Sequence, residues 1–166
     1  MTLLVFTDGL GNGTFNGAVA DVILSGFNVN AADVIAPTLS SPTASATGPT
    51  TCAGSITTDE ACTGYFVVTE SGTTPSVAQI QAGQDNTGAA AAYDNHASPA
   101  SWTVGANAVS GTGLTAATTY YIHYQGQDAA TNDSTVYTSA SFTTSAINPP
   151  GPFSGGGLNL GKFGSL

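Results

Sequence analysis

Positive charge is almost absent from this sequence: lysine and arginine together number one, Lys162, among 166 residues. Ten acidic residues leave a net charge of −9, yet charged side chains make up only 7% of the chain, against about 25% in ordinary globular domains. The missing basic residues exclude nucleic acid as a partner, because counterion release needs several Lys or Arg. Anionic membrane surfaces are excluded on the same ground. Long apolar runs are missing too, and none approaches the ~18 residues of a membrane-spanning helix. The apolar start Thr2–Phe6 is short, lacks a basic flank and runs into Asp8, so no targeting segment is expected there. General disorder does not fit a chain that is 41% hydrophobic.

Cysteine is scarce, with Cys52 and Cys62 the only two. Their spacing would close a short loop, where a disulfide contributes ~2–3 kcal/mol by loop entropy. Two reduced thiols in or near a small core are the other reading, and the sequence leaves both open. Glu, Lys, Arg and Leu, which usually cover exposed helices, are also rare. Ala, Thr, Gly and Ser dominate instead, a vocabulary of strands and turns. A surface built from hydroxyls and amides packs against copies of itself at little electrostatic cost.

Three regions separate by composition. Residues 1–35 read as an N-terminal strand pair or arm, with apolar runs at Leu3–Phe6 and Val19–Phe27 around a Gly/Asn-rich turn. Two strands cannot bury their apolar faces alone, so they need another domain or another chain. Residues 36–145 carry regular strand and turn spacing. Pro37 and Pro42 flank an edge-strand candidate, Gly54–Thr58 is a short strand, and Gly64–Thr69 is the strongest strand, aromatic and β-branched. Ser76–Ala82 suits one or two helical turns, capped by Ser76 and stopped by Gly83. The Ala89–Ala92 run reads as helix by propensity and as linker by its flanks. Trp102 begins a strand expected to continue to Val109. Along Thr119–Gln125, Tyr120, Ile122 and Tyr124 share one face, and Tyr121, His123 and Gln125 the other. Asp128–Ser134 is a turn and Val136–Thr144 the last strand. Such spacing favours an all-β antiparallel sandwich with one short helix and extended N- and C-terminal arms. Residues 146–166 form a Pro/Gly-rich segment, stiff at Pro149–Pro152 and jointed at Gly155–Gly157. Its spaced Leu158, Leu160, Lys162 and Phe163 make a candidate docking arm.

Catalytic motifs fail on inspection. Gly156–Lys162 has the glycines and lysine of a phosphate loop, but Phe163 stands where a Ser or Thr should hold magnesium. Gly9–Gly13 has the wrong spacing for a dinucleotide fingerprint. His96 falls in a loop and His123 on the strand face expected to be exposed, where both read as ordinary side chains. Glu60 and Glu70 flank the Tyr65 strand, but nothing fixes the few ångströms a glycosidase pair requires. Asp85-Asn86, Asp94-Asn95 and Asp128 with Asn132-Asp133 offer oxygen ligands to calcium without the spaced loop such sites use, so turn chemistry explains them better. Two cysteines without partners make no zinc site. No enzyme, cofactor or metal site is expected.

Leu114-Thr115-Ala116-Ala117-Thr118-Thr119-Tyr120 resembles the Leu-x-Pro-x-Thr-x-Tyr signature of fibronectin type III domains, with Leu114, Thr118 and Tyr120 matching and Ala116 in place of proline. Gly64–Val68 looks like strand C of that fold and Ser141–Thr144 like its closing strand. The strand B tryptophan is replaced by Ser55-Ile56-Thr57. An ordered series of motifs resembles the Fn3-like repeats of bacteriophage virion and bacterial surface proteins. The series runs Ser41–Ala44, Thr57–Glu60, Pro75–Gly83, Gly113-Leu114, Thr119–Tyr121, Asp128-Ala129 and Asn132–Ser134. The resemblance implies an Ig-like sandwich, with Leu114, Thr118 and Tyr120 forming a tyrosine corner. It further implies a non-enzymatic sandwich displayed on a particle or cell surface, and the leading expectation is a phage virion structural protein, as capsid decoration or cement or as a neck or tail attachment. Partners would be copies of itself and major capsid or tail proteins. A carbohydrate- or host-surface-binding adhesion module is the alternative, with Trp102, Tyr93, Tyr121 and Tyr137 as its stacking platform, host-surface glycan as its partner and a bacterial cell surface as the alternative location.

Overall fold

The computed structural model describes residues 33–148. Almost all of the expected N-terminal strand pair, the two glycine-rich near-motifs, and the arm residues Leu158, Leu160, Lys162 and Phe163 lie outside the described residues. In chain order the elements are β1 (Leu39–Ala46), β2 (Cys52–Thr58), β3 (Cys62–Thr69), α1 (Val77–Gln81), β4 (Tyr93–Asp94), β5 (Ala100–Trp102), β6 (Gly105–Gly111), β7 (Thr119–Gln127), β8 (Tyr137–Thr138) and β9 (Phe142–Thr143).

The β-branched and aromatic runs of β3 and β7 pair with each other through an unbroken antiparallel register, Thr63 opposite Gln127 to Thr69 opposite Tyr121. They form the spine of one sheet, ordered β4-β3-β7-β8, with β5 also on β3 and β9 also on β7. The second sheet is ordered β1-β2-β6 and is antiparallel throughout. Alternation along each strand turns one row of side chains inward. Leu39, Ile56 and Val109 from the smaller sheet meet Phe66, Val68, Tyr120, Ile122, Tyr124 and Phe142 from the larger one in a single core. The Tyr124 hydroxyl donates to the Thr43 carbonyl at 2.6 Å and so ties the two sheets together. The architecture is an all-β antiparallel sandwich.

The short helix forms where the sequence places it. Ser76 caps Val77–Gln81, its hydroxyl accepting from the Gln79 amide while the Gln79 side chain accepts from the Ser76 amide. Gly83 ends it at φ +70°, a conformation that suits glycine. This helix packs on β3 and β7. It lies on the side of the larger sheet away from the main core, and Ile80 is fully buried beneath it.

Three expected elements differ. The strand expected from Trp102 to Val109 is cut at Thr103-Val104, because the chain crosses there from one sheet to the other. Trp102 pairs with Cys62 in the larger sheet, and Gly105 onwards pairs with β2 in the smaller. Asn107 stabilises the crossing by accepting from the Thr103 amide and donating to the Thr103 and Gly105 carbonyls. The expected last strand splits into β8 and β9 because the Ser139 hydroxyl accepts from the Ile122 amide and replaces a ladder bond. Ala89–Ala92 contains no helix; Asp85 accepts from the amides of Thr87 and Ala89 and closes a loop instead. β1 is an edge strand as expected, but Pro42 lies inside it rather than at its flank, and a register shift between Ser40 and Thr43 accommodates it.

Candidate functional site

At one pole of the sandwich, the chain leaving β6 turns back into β7 through Leu114–Thr118. Leu114 is buried in the core, and the Tyr120 hydroxyl accepts from the Thr115 amide at 3.0 Å. The Thr118 hydroxyl donates to the Ala116 carbonyl, which tightens the turn around Ala117 at φ +53°. Thr144 closes the corner from the C-terminal side, accepting from the Thr118 amide and donating to the Thr115 carbonyl at 2.7 Å. Leu114, Thr118 and Tyr120 are thus brought together, and Thr144 joins them, a partner that the spacing of the motif does not reveal.

The opposite pole gathers carboxylates. Asp33, Glu60 and Asp128, scattered in sequence, bring their oxygens within 4.8 Å of one another. Partial burial, followed by the charges of Asp128, Asp33 and Asp59, raises the Glu60 pKa above its ordinary value. Burial would raise Asp128 too, but hydrogen bonds from the Asn132 side chain and amide outweigh it and hold its carboxyl low. Three converging carboxylates are the donor type of a hard cation. The other oxygen groups singled out in the sequence are engaged in turns. Asp85 accepts from Thr87 and Ala89, and Asp94 from the His96 amide. Asp133 accepts from the side-chain Nε2 groups of Gln81, Gln125 and Gln127, joining α1 to the end of β7.

Glu60 and Glu70 lie beyond opposite ends of β3. At ~3.3 Å per residue that strand holds them some 25 Å apart, far beyond the 5–9.5 Å of a glycosidase pair. His123 requires a correction. It shares the outer face of β7 with Tyr121 and Gln125, but that face is covered by α1 and the Glu70–Pro75 segment, and the imidazole is fully buried. The Thr69 hydroxyl already donates to the Ser71 carbonyl, so it accepts from His123 Nε2 at 2.9 Å. His123 Nδ1 then accepts from the Thr138 hydroxyl at 2.8 Å. Those partners fit a neutral imidazole, and burial pushes its pKa down against a small opposing effect of the Ser71 carbonyl. His96 is in the expected loop, with Nδ1 bonded to the Asp94 carboxylate.

The aromatic platform is not assembled. Trp102 is 2% exposed and lies in the core. Tyr93 stacks on Phe66, and Tyr137 packs against the same core. Tyr121 faces outward beside Gly72. Near it, a cavity of about 370 Å³ is lined by Thr69, Glu70, Ser71, Asp85, Asn86, Thr87 and the Ala90–Ala92 run, a mixed lining without a stacking ring.

The cysteines are both free and buried, which decides against the disulfide reading of Cys52 and Cys62. Cys52 begins β2, whereas the Cys62 sulfur sits 3.7 Å from the hydroxyl of Thr58 at the far end of that strand. A strand of this length holds the two apart by ~20 Å, and a bridge needs Cα atoms within ~7 Å. Burial raises both thiol pKa values. No known protein family, curated protein or solved structure matches this chain.

Proposed function

We propose that this chain is a non-enzymatic structural protein of a bacteriophage virion, a capsid decoration or cement protein or a neck or tail attachment, that displays a fibronectin type III-like sandwich at the particle surface. The observation that carries the reading is the Leu114–Tyr120 corner, in which the tyrosine hydroxyl meets the amide five residues upstream, the contact that defines a tyrosine corner. Further support is the ordered motif series, whose members fall on successive elements: Ser41–Ala44 on β1, Pro75–Gly83 around α1 and Thr119–Tyr121 on β7. His123 adds to it, since its two ring nitrogens are occupied by the Thr69 and Thr138 hydroxyls. A surface short of charge suits dense packing among copies and against a shell.

In this reading, residues 149–166 dock the sandwich to its neighbours through added main-chain hydrogen bonds. The test is incorporation of the tagged full chain, and of a chain ending at residue 148, into particles assembled without the native copy. The full chain is expected to sediment with particles, and the shortened one to be lost from them with its melting transition unchanged. Equal incorporation of both refutes the arm, and failure of the full chain to associate refutes the virion role.

A further inference from the structure

The sandwich edges are unequally protected. Natural sheets guard their edges with short strands, bulges, proline or charge, because an open ladder pairs with any strand that meets it. In the larger sheet the outer strands β4, β5, β8 and β9 are two or three residues long. In the smaller sheet β1 carries a register shift, Pro42, and Ser41 at φ +52°. Only β6, among the described residues, has none of these devices. It runs seven residues in unbroken register with β2, with no proline and no charged side chain, and no other described strand pairs with its other edge.

We propose that β6 is a self-association edge, pairing antiparallel with β6 of a second copy about a two-fold axis at Ala108. An antiparallel strand pair is self-complementary under such an axis, so the seam needs no other sequence. Charge favours the same occupant. Two chains of net charge −9 repel, yet β1, β2 and β6 contain no Asp, Glu, Lys or Arg, so joining them edge to edge sets no carboxylates against each other. The outward residues Ala106, Ala108 and Ser110 are small and exposed and leave the seam unobstructed. The result is one continuous sheet, β1-β2-β6 followed by β6-β2-β1 of the second copy. In this register Ala106 lies opposite Ser110 of the second copy. A seam of seven small residues lies below the size of stable interfaces, so association in solution is weak and concentration-dependent. The inference does not rest on the virion reading, since the pairing is expected without particles.

The test uses the full chain in sedimentation over a concentration series. The apparent mass is expected to rise from one chain towards two. Ala106→Asp with Ser110→Asp sets like charges opposite one another twice and should weaken the dimer by about tenfold. Ala106→Lys with Ser110→Asp should restore it. Independently, Ala108→Cys should oxidise to a covalent dimer faster than Ser45→Cys on the guarded β1 edge, and this carries the test if the charged variants do not fold. A full chain that stays monomeric with no preferential Ala108→Cys dimer overturns the proposal. So does growth into open fibres, or association indifferent to the Asp pair.

Discussion

The contact between Trp102 and Gly64 predicts a substitution whose effect reverses sign with its neighbour. Trp102 is 2% exposed, and its six-membered ring lies directly on the Cα of Gly64. A Cβ at Gly64 would run into ring atoms Cδ2, Cε2 and Cζ2. The ring has little room to yield, because its backbone is paired to β3 and the Tyr124 ring lies 6.4 Å away between centroids. Gly64→Ala should therefore cost about 3 kcal/mol, the upper end of overpacking penalties. Trp102→Leu removes the fused ring at a cost of about 3 kcal/mol for the space it leaves. In that background the same Gly64→Ala should be neutral or stabilise by about 0.4–1 kcal/mol, since alanine reduces the freedom of the unfolded chain. The coupling between the two sites is thus about 3 kcal/mol, far above the additivity expected of independent positions. Urea unfolding of the four proteins, followed by far-UV circular dichroism, measures it. Equal costs for Gly64→Ala in both backgrounds would refute the packing argument. Because Trp102 is the only tryptophan, its fluorescence should also shift to the red in Gly64→Ala.

Other expectations follow from the poles and the outer face. Tyr120→Phe removes the acceptor of the Thr115 amide and should cost about 1 kcal/mol, the net value of one such bond; no change in urea midpoint would mean the corner is not held there. Burial lowers the pKa of His123, so the unfolded state binds its proton first as pH falls. Stability should be complete above the ordinary value of 6.5 and decline below it, by at most about 1.4 kcal/mol per pH unit. His123→Gln should flatten that slope, and an unchanged slope would assign it to other groups. Both thiols should resist a thiol reagent in the folded protein and react on unfolding. A disulfide-linked mass in the native chain would contradict their placement at opposite ends of β2.

The parts that could be read from the sequence were those set by neighbours along the chain. Ser76 and Gly83 delimit a helix because a cap and a left-handed stop act within a turn. The alternation of Tyr120, Ile122 and Tyr124 identifies the core face of β7 because the pleat has period two. What lay hidden depends on contacts made elsewhere. Alternation alone puts His123 on an exposed face because it separates two faces without saying what covers the second, and here a five-residue helix and the Glu70–Pro75 segment do. The crossing at Thr103-Val104 leaves no break in β propensity; only pairing partners reveal that Trp102 and Gly105 belong to different sheets. Cys52 and Cys62 are close in sequence but separated by the length of β2, and the same geometry that parts them brings Asp33, Glu60 and Asp128 together.

The virion role meets its most direct test in the composition of purified particles. Quantitative mass spectrometry of density-purified phage from a strain that encodes this chain compares its copy number with that of the major capsid protein. The account predicts a fixed ratio that survives washing in high salt, since a chain with only 7% charged residues offers few ionic contacts for salt to screen. A chain recovered only from the particle-free fraction would contradict it.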